Sequence, residues 1–217
     1  MEHVARLFAN NLLQISAVNL QPDNCFIWGN GWNAPLYTDM RKLLSYPRIR
    51  TFVKIELSRL IEEQFPEVEA IAGVATGAIA ISTLVADELN LPYAYVRTKP
   101  KDHGLENLIE GNLKPGLKVV IVNDLLTNGA RTRRVAEAVK DAGCEVIGMV
   151  ALLDFDFEAG ASVLADMDIP VKSLCHYDGL LDVAIESGLI LPADMAVFRA
   201  WHEDPENWIP DNILDHE

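Results

Sequence analysis

The sequence predicts an α/β fold, a parallel sheet with helices on both faces. Three observations carry that expectation. Residues 69–75, 118–124 and 145–153 are strongly apolar runs of strand length, the composition of strands buried on both faces. Residues 78–89 and 131–142 have apolar positions at helical spacing. Strand and helix alternate along the chain, as crossover units require.

Taken in order, residues 4–15 read as an amphipathic helix. Residues 25–28 read as a short strand running into a polar loop, Gly29-Asn30-Gly31-Trp32-Asn33-Ala34-Pro35. Pro47 suits the first turn of a long helix over residues 47–65. The regular alternation follows: strand 69–75, helix 78–89, strand 93–97, strand 118–124, helix 131–142 and strand 145–153. Gly143 is a good terminator for the helix before it. The interval 98–115 is polar, Gly- and Pro-bearing and without a clear period, as lids often are. After Pro170 come a strand at 171–175 and helices at 177–187 and 192–202. No linker or repeat divides the chain, so one domain over residues 1–217 is expected, with its core at about 48–170 and a hood from about 1–47 and 171–217.

The 217 residues carry a formal net charge of −14. This argues against a general nucleic-acid or membrane-surface binder, which would present a basic face. Any phosphate site must be built locally, from backbone N–H groups, a few basic side chains and a metal ion. Cys25, Cys144 and Cys175 form no CxxC pair and fit a reducing compartment. The N-terminal stretch lacks the apolar core of a leader, and no segment approaches a membrane span. The expected location is the cytoplasm, with no nucleic acid and no membrane as partner.

The strongest chemical signal is VVIVNDLLTNGART, residues 119–132. An apolar strand ends in Asn123-Asp124, and a short loop with Thr127 and Gly129 opens a helix. In parallel sheets ligands sit beyond the carboxyl ends of strands, and small loop residues let backbone N–H groups reach a phosphate. Asp124 can accept from sugar hydroxyls or hold a hydrated Mg²⁺; the plain alternative is a strand-to-helix turn with an Asx cap. The second signal is Arg97, Lys99, Lys101 and His103, a cluster of cations that could close over a pyrophosphate, or a solvated basic turn. The third is FIWGNGWNAPLYTDMR, residues 26–41, whose aromatics could stack a flat base or staple the N-terminal layer to the core.

Together these segments resemble the orotate phosphoribosyltransferase family. Residues 119–132 resemble the signature by which type I phosphoribosyltransferases bind phosphoribosyl pyrophosphate (PRPP), and residues 97–104 resemble the catalytic loop. Residues 26–41, with Pro47 and Arg50 after them, resemble the N-terminal SGxxSPxYxDxR stretch, and residues 73–78 fall where the family has a second substrate loop. The resemblance implies a type I phosphoribosyltransferase-like sheet with a small hood. It implies Mg²⁺-dependent transfer of 5-phosphoribosyl from PRPP to orotate, giving orotidine 5′-phosphate and pyrophosphate. It implies catalytic roles for Lys101, His103 and Asp124. PRPP would touch Arg97, Lys101, His103, Asn123, Asp124, Leu125, Leu126, Thr127, Asn128, Gly129, Ala130 and Arg131. Thr127 and Asn33 would meet the base, and Asp124 would hold the metal through water. It further implies a homodimer whose lid loop is shared between subunits.

The chain departs from the family pattern at several points. Asn123 stands where an acidic residue is usual, Arg131 follows Ala130 in the signature loop, and Asn33 and Asn30 replace expected residues. Phe155 and Asp156 stand where many members carry an arginine for the base's carboxylate. Two other readings therefore stay open: a phosphoribosyltransferase for another base, and a non-catalytic PRPP-binding module.

Overall fold

The computed structural model describes residues 2–98 and 108–210. Its centre is a six-stranded sheet built from β5 (Ala70–Val74), β6 (Tyr93–Val96), β7 (Ile109–Gly111), β8 (Lys118–Leu126), β9 (Glu145–Asp154) and β10 (Val171–His176), in the order β10-β9-β8-β5-β6-β7. Every pair is parallel except β6 with β7. The apolar runs occupy the middle of the sheet because strands there have both faces covered. All of β5 is buried, as are Val119 to Asn123 in β8.

Helices α2 (Pro47–Gln64), α3 (Ile79–Glu88) and α4 (Ala130–Asp141) follow the positions expected from periodicity. Pro47 opens α2 as predicted, and Gly143, at φ 81°, takes up the left-handed turn after α4. Helix α1 (Glu2–Gln14) packs on α6 (Tyr177–Glu186) and β10.

Residues 171–176 belong to the main sheet, because β10 pairs with β9 from Val171↔Met149 to His176↔Asp154. The sheet therefore extends past residue 170, and the hood's C-terminal share begins only after it. Two elements lie outside the sequence expectation. β7 lies inside the interval 98–115 and is recruited by pairing with β6. Helix α5 (Glu158–Ala165) follows β9 directly.

The hood is made from β1 (Val18–Leu20) paired with β4 (Leu36–Thr38), the hairpin of β2 (Phe26–Ile27) and β3 (Asn33–Ala34), and α7 (Met195–Glu203). Aromatic packing fastens it to the core. Trp28 meets Phe155 and Trp201 edge-on, each at 5.3 Å between centroids. Trp201 is fully buried and its indole N–H donates to the Asn33 carbonyl at 2.9 Å, tying the C-terminal helix to the N-terminal hairpin. Edge-on pairs of this kind are worth about 0.5–1.5 kcal/mol each beyond their burial. Trp28 thus staples the N-terminal layer to the core, and Trp32 is partly buried against the same core.

Candidate active site

The loops after β5 and β8 lie side by side at the carboxyl ends of the sheet, where a parallel fold leaves its ligand crevice. The hood ribbon at residues 37–41 closes the third side, and two adjoining cavities result. The first, of about 360 Å³, is lined by Asp39, Arg41, Thr76, Gly77, Thr98 and Asp124 among others. The second, of about 530 Å³, is lined by Trp28, Gly29, Asn30, Tyr37, Thr127, Asn128, Ala130 and Arg134 among others. Thr38, Leu125 and Arg131 line both.

Asp124 faces the first cavity at the end of β8. Burial pushes its carboxyl above the usual carboxylate range, and the Leu125 amide, with the charges of Arg131 and Arg41, opposes the shift. Its position depends on Gly77. A Cβ at residue 77 would stand 1.7 Å from Asp124 Oδ2, so only glycine lets this carboxylate lie across the loop after β5. Asp39 and Arg41 form a two-pronged pair, with Arg41 Nε 2.7 Å and Nη2 3.1 Å from the two carboxylate oxygens. Hydrogen bonds from Arg41 hold the Asp39 carboxyl below its ordinary range. The pair keeps a guanidinium at the rim of the first cavity.

The loop after β8 is shaped by α5. Gly129, at φ 74°, turns the chain into α4. A Cβ on Gly160 of α5 would stand 2.0 Å from the Thr127 carbonyl oxygen. The loop therefore rests on the backbone of α5.

The residues expected from sequence separate into three groups. Asp124, Leu125, Thr127, Asn128, Ala130 and Arg131 line the cavities. Lys101 and His103 lie outside the described residues. Asn123, Asn33, Arg97, Leu126 and Gly129 line neither cavity. Asn123 corrects the sequence expectation most plainly. Adjacent strand residues face opposite sides of a sheet, so with Asp124 turned to the crevice, Asn123 is buried under α4 and donates to Thr132 Oγ1 at 3.3 Å. Asn33 sits in the hairpin, where its Oδ1 lies 3.8 Å from Cys25 Sγ and its backbone carbonyl receives Trp201. The Arg97 guanidinium stands 3.9 Å from Glu110 of β7. Leu126 is packed in the core, and Gly129 supports the loop by its conformation.

Asn123→Ala is accordingly expected to lower stability by about 1–2 kcal/mol, since it strands the Thr132 hydroxyl. Donor KM should stay within about threefold of the parent, as loss of a hydrogen bond remote from the ligand predicts. Chemical denaturation and initial-rate kinetics check the two halves. Sequence reading also passed over Asp39, Arg41, Thr76 and Arg134 as individual site residues. For Arg134 a signal was present, a run of basic residues opening a helix in an acidic chain.

Comparisons with known proteins fit this geometry. The phosphoribosyl transferase domain family matches residues 49–174. The chain is 51% identical over 208 residues to the orotate phosphoribosyltransferase of Bacteroides fragilis, covering 96% of this chain and 98% of that one. It is 52% identical to the enzyme of that name from Bacteroides thetaiotaomicron over the same shares of both chains. Among solved structures, the orotate phosphoribosyltransferase of Aeropyrum pernix superposes with a TM-score of 0.73 at 26% identity, covering 85% of this chain and 99% of that one. Two-cavity geometry at the carboxyl ends of β5 and β8, full-length similarity and shared topology agree: the chain belongs to the orotate phosphoribosyltransferase family.

Proposed function

We infer that the protein transfers the 5-phosphoribosyl group of PRPP to orotate, releasing orotidine 5′-phosphate and pyrophosphate in pyrimidine biosynthesis. The observation that carries this is the pair of adjoining cavities, sharing Leu125 and Arg131, in a chain about half identical to orotate phosphoribosyltransferases along nearly its whole length.

The donor's 5-phosphate lies against residues 127–131 at the head of α4, where backbone N–H groups and the helix end favour an anion. Asp124 receives the ribose hydroxyls. The pyrophosphate points into the first cavity, toward the loop after β5 and Arg41, and the base enters the second beneath the hood. Orotate is already an anion and attacks through its ring nitrogen, so no general base is required. The burden falls on charge that builds on the departing pyrophosphate, which positioned cations stabilise. Lys101 and His103 supply them from the lid loop, which closes over the site of the neighbouring subunit in a homodimer.

Mg²⁺ fits the donor set. Asp124 offers a cavity-facing carboxylate that burial leaves short of countercharge, and Mg²⁺ is commonly held by one or two carboxylates, waters and substrate phosphates. When bound, it neutralises phosphate charge and supports the leaving group. Among the described residues no helix is long and apolar enough to cross a membrane. We place the reaction in the cytoplasm, in keeping with three free thiols.

The test is turnover with purified protein, PRPP and Mg²⁺, following loss of orotate absorbance with other bases in parallel. Loss that requires both donor and metal is expected. Pyrophosphate release only with another base would reassign the acceptor. Donor binding without turnover of any base would make the chain a binding module.

A further inference from the structure

The first turn of α4 opposes elementary helix electrostatics. It begins Ala130-Arg131-Thr132-Arg133-Arg134, holds no acidic residue, and belongs to a chain of net charge −14. Cations at a helix N-terminus oppose the macrodipole, and like charges at i,i+3 repel. Local rules broken in this way mark a site where something else repays the cost. Arg133 has its own compensation, an ion pair at 3.3 Å with Asp166 beside α5. Among the described residues, Arg131 and Arg134 have no carboxylate within salt-bridge distance. Both line the cavity of about 530 Å³, with Thr127 and Asn128 beside them.

We propose that Arg134 acts with Arg131 as a two-guanidinium clamp on the 5-phosphate of the ribosyl donor, making Arg134 a specificity residue for phosphorylated ribose. This rests on the function proposed above. Two features favour the phosphomonoester over the other anions of the reaction. Arg134 lines the second cavity and not the first, which separates it from the pyrophosphate side. A phosphomonoester carries close to two charges and three free oxygens, enough for two guanidinium groups and the loop, whereas the base's carboxylate has one charge and two oxygens. The exposed position of Arg134 at the cavity mouth suits capture of a charged ligand from solution, and makes that capture sensitive to salt.

The experiment is calorimetric titration with ribose 5-phosphate across a salt series, alongside steady-state kinetics, on the full chain and on Arg134→Ala, Arg134→Lys and Arg133→Ala. Arg134→Ala should weaken ribose 5-phosphate about tenfold, the low end for a charge-assisted hydrogen bond because the group is exposed. It should flatten the salt dependence and raise KM for PRPP, with kcat and KM for orotate unchanged. Arg134→Lys should recover part of the affinity. Arg133→Ala removes the same charge from the same turn but faces Asp166, and should bind as the parent does. Unchanged ribose 5-phosphate affinity in Arg134→Ala would overturn the clamp, as would a raised KM for orotate with PRPP unaffected, which would assign the guanidinium to the base's carboxylate. A parent protein that binds ribose 5-phosphate, loses it in Arg134→Ala and yet turns over no base would support the clamp while defeating the proposed activity.

Discussion

Gly160→Ala is expected to destabilise the protein by about 2–3 kcal/mol and to raise KM for PRPP by about tenfold or more. Two effects compete at this position. Alanine is the better helix former and would stabilise α5 by about 0.5–1 kcal/mol if nothing opposed it. The added Cβ, however, would stand 2.0 Å from the Thr127 carbonyl oxygen and 3.2 Å from its carbon. The obstacle is backbone, so no rotamer change relieves it; either α5 withdraws or the loop over residues 127–129 is pushed toward the ligand. Steric overlap exceeds propensity, and the sign of the change in Tm is decisive. A higher Tm with unchanged donor KM would show that helix and loop do not touch as described.

Lys101→Ala is expected to lower kcat by about 100- to 1,000-fold while donor binding changes far less, the pattern for a group whose interaction strengthens only as charge develops. With an anionic nucleophile and no proton to remove, the large remaining demand is the negative charge gathering on the pyrophosphate oxygen. Pre-steady-state measurement separates chemistry from release, and direct PRPP titration reads the ground state. A variant that loses donor affinity and turnover in equal proportion would assign Lys101 to uniform binding; untouched turnover would remove it from the chemistry.

How much of this was legible in the sequence varies with the range of the forces involved. β8 and α4 could be read because an apolar run, a Gly-bearing loop and a periodic helix each specify themselves locally. β7 could not, since a triplet as short and mixed as Ile109–Gly111 becomes a strand only through the offered edge of Tyr93–Val96. Helix α5 was hidden for a related reason: Gly160 weakens its helical pattern, and what requires glycine there is a loop more than thirty residues earlier in the chain. The site divides in the same way. The signature loop was visible as a motif. Which of Asn123 and Asp124 faces the crevice was not, because alternation fixes only that they differ, and the packing of α4 decides the rest. Arg134 was present in plain view as a charge, but its meaning depended on a cavity formed by the distant residues Trp28 and Tyr37.

The bond between the Trp201 indole and the Asn33 carbonyl spans 168 positions of chain. Synthesis proceeds from the N-terminus, so the sheet from β5 to β9 has all its strands well before α7 leaves the ribosome. Trp28, which forms part of the wall of the second cavity, gains its partner Trp201 only when α7 has emerged. The half-made chain thus has the strands of its sheet before the second cavity has its full support, which is completed only once residues 195–203 have emerged.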